Sequence, residues 1–118
     1  MSLLAQLIAR QEGFYIDGSK PQRQNNPGDL RHAPNEAHPE LAPNSVGSFE
    51  SADLGWAALE RQLSLYASRG LTVGQAIGEF APPVENDTDS YLKFVCDGLG
   101  CTPETLMSNA LSIQGSNS

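Results

Sequence analysis

Ser2-Leu3-Leu4-Ala5-Gln6-Leu7-Ile8-Ala9-Arg10-Gln11-Glu12-Gly13 is the stretch from which the rest of the chain is read. Leu4, Leu7, Ile8 and Gln11 recur at the i, i+3, i+4 and i+7 spacing of one helix face. Ser2 is placed to cap the start of that helix and Gly13 to end it. Glu12 breaks the pattern, because it lies on the same stripe as Leu4 and Ile8, where the buried face continues. A carboxyl group there, beside the negative end of the helix dipole, is driven toward its protonated form by desolvation and by the dipole. That is the property a general acid needs near neutral pH. Gly13 leaves room for a ligand, and Phe14-Tyr15 could supply an apolar wall. The plainer reading is that the helix frays and Glu12 only solvates its end.

After this helix the character changes. From Gly13 to Phe49 the chain is rich in Asn, Pro, Gln, His and Gly and has few periodic apolar residues. So long an irregular excursion is usually functional or disordered. Within it, Asn25-Asn26-Pro27-Gly28-Asp29-Leu30-Arg31 reads as a turn held in place by two amides, a fixed proline and an ion-pairable Asp and Arg. Rigid amides suit a carbohydrate cleft, because sugars present hydroxyl and amide groups in fixed geometry. An Asx-rich surface turn would have the same composition. Val46-Gly47-Ser48-Phe49 is the one extended-looking piece, half of a short hairpin.

The remainder is helical. Ser51 is placed to cap a long helix with Ala52, Trp56, Leu59, Leu63 and Tyr66 along one face, stopped by Gly70. Thr72 and Gln75 form a capping box ahead of Val73, Ala76, Ile77 and Phe80, and Pro82-Pro83 end that short helix. A fourth helix is expected from Asp87 or Thr88, burying Tyr91, Leu92, Phe94 and Val95. Thr102-Pro103-Glu104 opens a fifth, anchored by Leu106, Met107, Ala110 and Leu111. Trp56 fits either the core stripe or a sugar-stacking position, and Glu85 to Thr88 either a site or a helix cap. The expected fold class is mainly α, or α+β with a minimal hairpin, in about five helices. It forms one domain over residues 1–113 with a polar tail at 114–118.

With 118 residues and 39% hydrophobic composition, the chain can bury one modest core. Seven basic against fourteen acidic residues leave a net charge of −7, which argues against a partner gripped through phosphates, so no nucleic acid is expected. No apolar run approaches the roughly 18 to 20 residues of a membrane span, and the start lacks the features of a signal peptide. Membrane insertion is therefore not expected. Cys96 and Cys101 flank a Gly98-Leu99-Gly100 turn and fit two free thiols or a disulfide. With His32 and His38 they make no zinc-site spacing, so neither a metal nor another cofactor is expected.

Four motifs taken in order carry a resemblance. They are Arg10-Gln11-Glu12-Gly13-Phe14, Asn25-Asn26-Pro27-Gly28-Asp29-Leu30-Arg31, Gly47-Ser48-Phe49-Glu50-Ser51 running on to Gly55-Trp56-Ala57-Ala58-Leu59, and Phe80-Ala81-Pro82-Pro83-Val84-Glu85-Asn86-Asp87-Thr88 with Tyr91. Over about residues 5 to 101 the chain resembles the small lysozyme-like, lytic-transglycosylase-type proteins of bacteriophages and prophages. The resemblance implies a lysozyme-like domain with its cleft between the end of the first helix, a small hairpin and the later helices. It implies Glu12 as the catalytic glutamate, a nearby segment around Asn26, and Tyr91 as a cleft-lining tyrosine. Phe80 stands where that family often has tyrosine, and Asp29 where it often has asparagine.

The expected reaction is cleavage of peptidoglycan glycan strands. Asn25, Asn26, Asp29, Glu50 and Tyr91 are the candidate substrate contacts. Glycoside hydrolysis ordinarily uses two carboxylates, about 5 to 9.5 Å apart depending on the stereochemical outcome. Only Glu12 has a convincing setting, which suits a lytic transglycosylase whose substrate supplies the nucleophile from its own 6-hydroxyl. If Asp29, Glu50 or Asp53 lies across the cleft, lysozyme-type hydrolysis becomes the better description. A non-catalytic virion or glycan-binding protein of the same fold is the rival from another class. A monomer is expected, in a phage particle or the bacterial cytoplasm, with delivery to the cell wall by other means.

Overall fold

The structure is a computed structural model and describes residues 1–30, 48–84 and 86–114. Helix α1 runs Leu3–Glu12, α2 Lys20–Arg23, α3 Ala52–Ser68, α4 Val73–Phe80, α5 Thr88–Leu99 and α6 Met107–Ala110. The fold is mainly helical.

The helix ends follow from local chemistry. The Ser2 hydroxyl accepts from the Ala5 N–H at 3.1 Å. The Ser2 backbone and hydroxyl in turn donate to Glu60 Oε1 at 2.9 and 2.8 Å, which ties the start of α1 to α3. At the other end Gly13 adopts a left-handed φ of 89°, letting the Phe14 N–H return to the Ala9 carbonyl at 2.9 Å. Ser51 caps α3, the Thr72–Gln75 capping box opens α4, and Asp87 caps α5 by accepting from Ser90. Asp87 and Thr88 are thus the start of a helix. The Thr88 hydroxyl also donates to the Ala81 carbonyl at 2.6 Å, joining the end of α4 to the start of α5.

One apolar cluster unites these elements. Leu4, Leu7 and Ile8 of α1 meet Leu59, Leu63 and Tyr66 of α3, Val73 and Ile77 of α4, Tyr91, Val95 and Leu99 of α5, and Met107 of α6. Helix α1 packs on α5 and α3, α4 on α5 and α6, and α3 on α6. Trp56 lies against this cluster, with its indole edge to Phe14 at a centroid distance of 5.4 Å. It is partly buried there.

Three expectations are corrected. The excursion after α1 contains a one-turn helix, α2, signalled by Ser19 at its cap and Pro21 in its first turn. Ser48 and Phe49 form no strand; Phe49 instead pairs with the loop after α2, donating its N–H to Gln24 O and accepting from Asn25 Nδ2, both at 2.9 Å. Val46 and Gly47 lie outside the described residues. The last helix begins at Met107, because the segment before it bonds to the entry of α4. There the N–H groups of Val73 and Gly74 donate to the Thr105 and Pro103 carbonyls, and the Met107 N–H to Leu71 O. Thr72 and Leu106 form an antiparallel bridge. Apart from Gln114, the polar tail falls outside the described residues. Cys96 and Cys101 are free thiols.

Candidate active site

Glu12 closes α1 just past the buried Leu4 and Ile8, so its side chain emerges half-buried at the edge of the core. Tyr91 reaches it from α5, the phenol donating to Glu12 Oε2 at 2.7 Å. Burial pushes the Glu12 carboxyl above the usual carboxylate range. The Tyr91 hydrogen bond pulls it partly back, and the charge of Asp29 raises it further. Tyr91 is itself raised far above the ordinary phenol value by burial and by Glu12, so it stays a donor.

The loop opposite is held by its own side chains. Asn26 is 0% exposed; its Nδ2 donates to Leu30 O at 2.8 Å and its Oδ1 accepts from the Leu30 N–H at 2.9 Å. Asn25 and Asp29 take left-handed φ values of 54° and 51°, which Asn and Asp tolerate better than other side chains. The loop then seats directly on α3. A Cβ at Gly55 would stand 1.8 Å from the Asn25 carbonyl oxygen, and one at Gly28 2.8 Å from Leu59 Cδ1. Gly55 is required by this approach of backbone, whereas at Gly28 the Leu59 side chain would have to shift.

Between these parts lies a cleft of about 610 Å³. Among the described residues its wall comprises Glu12, then Gly28, Asp29 and Leu30 of the loop, Gln62 and Tyr66 of α3, Glu79 and Phe80 at the end of α4, and Pro82 and Asn86 beyond it. Of the candidate catalytic and substrate-contact residues, Glu12 and Asp29 face this space, as do Phe80 and Asn86 of the fourth motif. Tyr91, at 2% exposure, stands behind Glu12 rather than on the wall. Asn25 and Asn26 are likewise off the wall, their amides engaged in building the loop. Glu50 is solvent-exposed and outside the wall, as is Asp53 in the first turn of α3. The expected apolar wall from Phe14-Tyr15 is instead supplied by Leu30, Tyr66, Phe80 and Pro82; Phe14 packs edge-on with Tyr15 and with Trp56, and Tyr15 lies tilted to Trp56.

Gln62, Tyr66 and Glu79 were not legible as site residues. Tyr66 belongs to the apolar stripe of α3, and only its i−4 neighbour Gln62 hinted that the stripe ends in a polar rim. Glu79 follows the buried Ile77 on the outer side of α4, where a solvated residue is expected. No group of three His, Cys, Asp or Glu side chains able to hold a metal ion occurs among the described residues; His32 and His38 lie outside them. No helix of the described residues is long and apolar enough to cross a membrane.

Set against known proteins, the chain matches no family model, no curated protein and no solved structure. What the site can do is therefore argued from its chemistry. A carboxyl group raised in pKa at the edge of an apolar core, backed by a phenol donor and facing a cleft with aromatic and amide walls, can give a proton to a leaving-group oxygen and then take one up as carboxylate.

Proposed function

We propose that the chain is a lysozyme-like lytic transglycosylase that cleaves peptidoglycan glycan strands, with Glu12 as its one acid and base. The observation that carries the reading is the half-buried Glu12 carboxyl, raised in pKa, hydrogen-bonded by Tyr91 and facing a roomy cleft. The order of the four sequence motifs supports the same reading. In the reaction, Glu12 gives its proton to the oxygen joining muramic acid C1 to the glucosamine 4-position. The C1–O bond breaks, and the glucosamine leaves with a 4-hydroxyl. The muramic acid 6-hydroxyl oxygen then bonds to its own C1, and the Glu12 carboxylate takes the hydroxyl proton. The product is a 1,6-anhydro ring, and water is not consumed.

One observation favours a second outcome. Asp29 shares the cleft and is close enough for its charge to raise the Glu12 carboxyl. If that carboxylate activates water or meets the anomeric carbon, the enzyme is a lysozyme-type hydrolase.

Digestion of purified peptidoglycan and identification of the muropeptides tests both. Anhydro-muramic ends support the transglycosylase, and reducing muramic ends the hydrolase. Glu12→Gln keeps the size of the side chain and removes its titrating proton, so it should abolish cleavage while folding and glycan binding persist. A wild-type protein that binds glycan but cuts no cell wall would leave the non-catalytic binding protein as the reading. The substrate lies in the cell wall, so delivery from a particle or from the cytoplasm is part of this proposal.

A further inference from the structure

The wall of the cleft divides into two groups of residues. Glu12 has Asp29 as its charged neighbour and Tyr91 behind it. Tyr66 has a different set, namely Gln62, Glu79 and Arg69. Arg69 follows the last turn of α3 and donates from both terminal nitrogens to the two Glu79 oxygens, at 2.9 and 3.1 Å. We propose that Glu79, gripped by Arg69, is a substrate-positioning residue that fixes a neutral sugar ring in the part of the cleft built by Tyr66 and Phe80. This rests on the glycan-cleaving reading above and adds a second point of attachment to it.

Stability does not explain the pair. The Arg69 and Glu79 side chains are 54% and 47% exposed, and an ion pair so open to water contributes little to folding. The bidentate fork does something else, because it fixes the plane of the carboxylate. Hydrogen bonding from Arg69 also holds the Glu79 carboxyl below the usual range, so it remains an acceptor. Each oxygen keeps a further lone pair for another donor. The hydroxyl and acetamido groups of a pyranose are such donors, and the partly buried Phe80 adds apolar wall for its C–H groups beside Tyr66, which is 6% exposed. Glu79 neutralises the charge of Arg69, so this part of the cleft selects a donor-rich neutral ring over a phosphate or carboxylate.

The test titrates full-length Glu12→Gln, which cannot cut, with soluble β-1,4-linked N-acetylglucosamine oligomers, beside the same protein carrying Glu79→Gln. A hydrogen bond to a charged acceptor corresponds to about a tenfold loss of affinity when it is removed. In the otherwise wild-type enzyme Glu79→Gln should raise KM with kcat retained. Arg69→Met leaves the carboxylate but frees its plane, and a loss in the same direction is expected. Unchanged affinity and KM in Glu79→Gln, while the wild type cleaves, overturns this proposal alone. So does a fall in kcat at constant KM, or full affinity in Arg69→Met. A wild type that neither binds the oligomers nor cleaves peptidoglycan overturns it together with the function it rests on. Thermal melting of each variant verifies that it is folded, as the exposure of both side chains leads one to expect.

Discussion

The carboxyl of Glu12 titrates under three influences: burial and the charge of Asp29 raise it, and the Tyr91 phenol lowers it. Burial is the largest, so the folded pKa exceeds the unfolded one. The sign of the stability effect follows. Below the ordinary glutamate range both states carry the proton and no charge is buried. As pH rises through the raised value, the native state must carry a partly desolvated charge and loses stability. Glu12→Gln is therefore expected to melt higher than the wild type at neutral pH, with the gap closing by about pH 4; melting curves at several pH values measure it. Tyr91→Phe removes the one influence that lowers the pKa. Its pH–activity profile on peptidoglycan should shift its alkaline limb upward, with a loss of about tenfold in kcat/KM as the carboxyl loses its orienting donor. A profile with an unmoved limb would show that Glu12 is not the titrating acid. Cys96 is pushed up to about 12 by burial and by neighbouring Cys101, so it stays a thiol at neutral pH.

At the scale of elements, the meeting of α3 with the loop after α2 decides where Asp29 stands. Gly55→Ala would drive a methyl group into the Asn25 carbonyl, at 1.8 Å. Backbone cannot rotate away as a side chain can, so the cost is expected to be about 3 kcal/mol, read as a lower denaturation midpoint. Asn26→Ala tests the loop itself. Its amide satisfies both the N–H and the carbonyl of Leu30, and its removal is expected to destabilise by about 2 kcal/mol. The same distinction explains what could be read beforehand. Caps at Ser2, Ser51 and Thr72 are chemistry between residues three apart and stand where the sequence placed them, and of the two candidates Asp87 and Thr88 it is Asp87 that caps α5. The fifth helix, expected from Pro103, starts at Met107 because carbonyls of Pro103 and Thr105 are taken by α4.

For the whole molecule, the cleft draws on α1, the loop, α3 and the end of α4, while α6 is held by the core and supplies no residue to the cleft wall. Met107 is fully buried, and Met107→Ala is expected to cost about 3 kcal/mol. Because α6 is not on that wall, kcat/KM measured well below the melting midpoint should equal that of the wild type. A loss of activity without a loss of stability would show that the two regions are coupled.

By itself the sequence determined a mainly helical chain, the ends of its main helices, and Glu12 as the acidic residue on an apolar stripe. These are matters of spacing within a few residues along one chain, where helix geometry and capping act. Only the tertiary structure decided the rest. Tyr91 became the partner behind Glu12 instead of a wall residue, Asn26 turned inward to close its loop, and Glu79, which local pattern leaves on the solvent side, came to face the cleft. Distant segments set those outcomes through the packing of α1 on α5 and the end of α4 beside α3, and spacing in one dimension carries no record of such meetings.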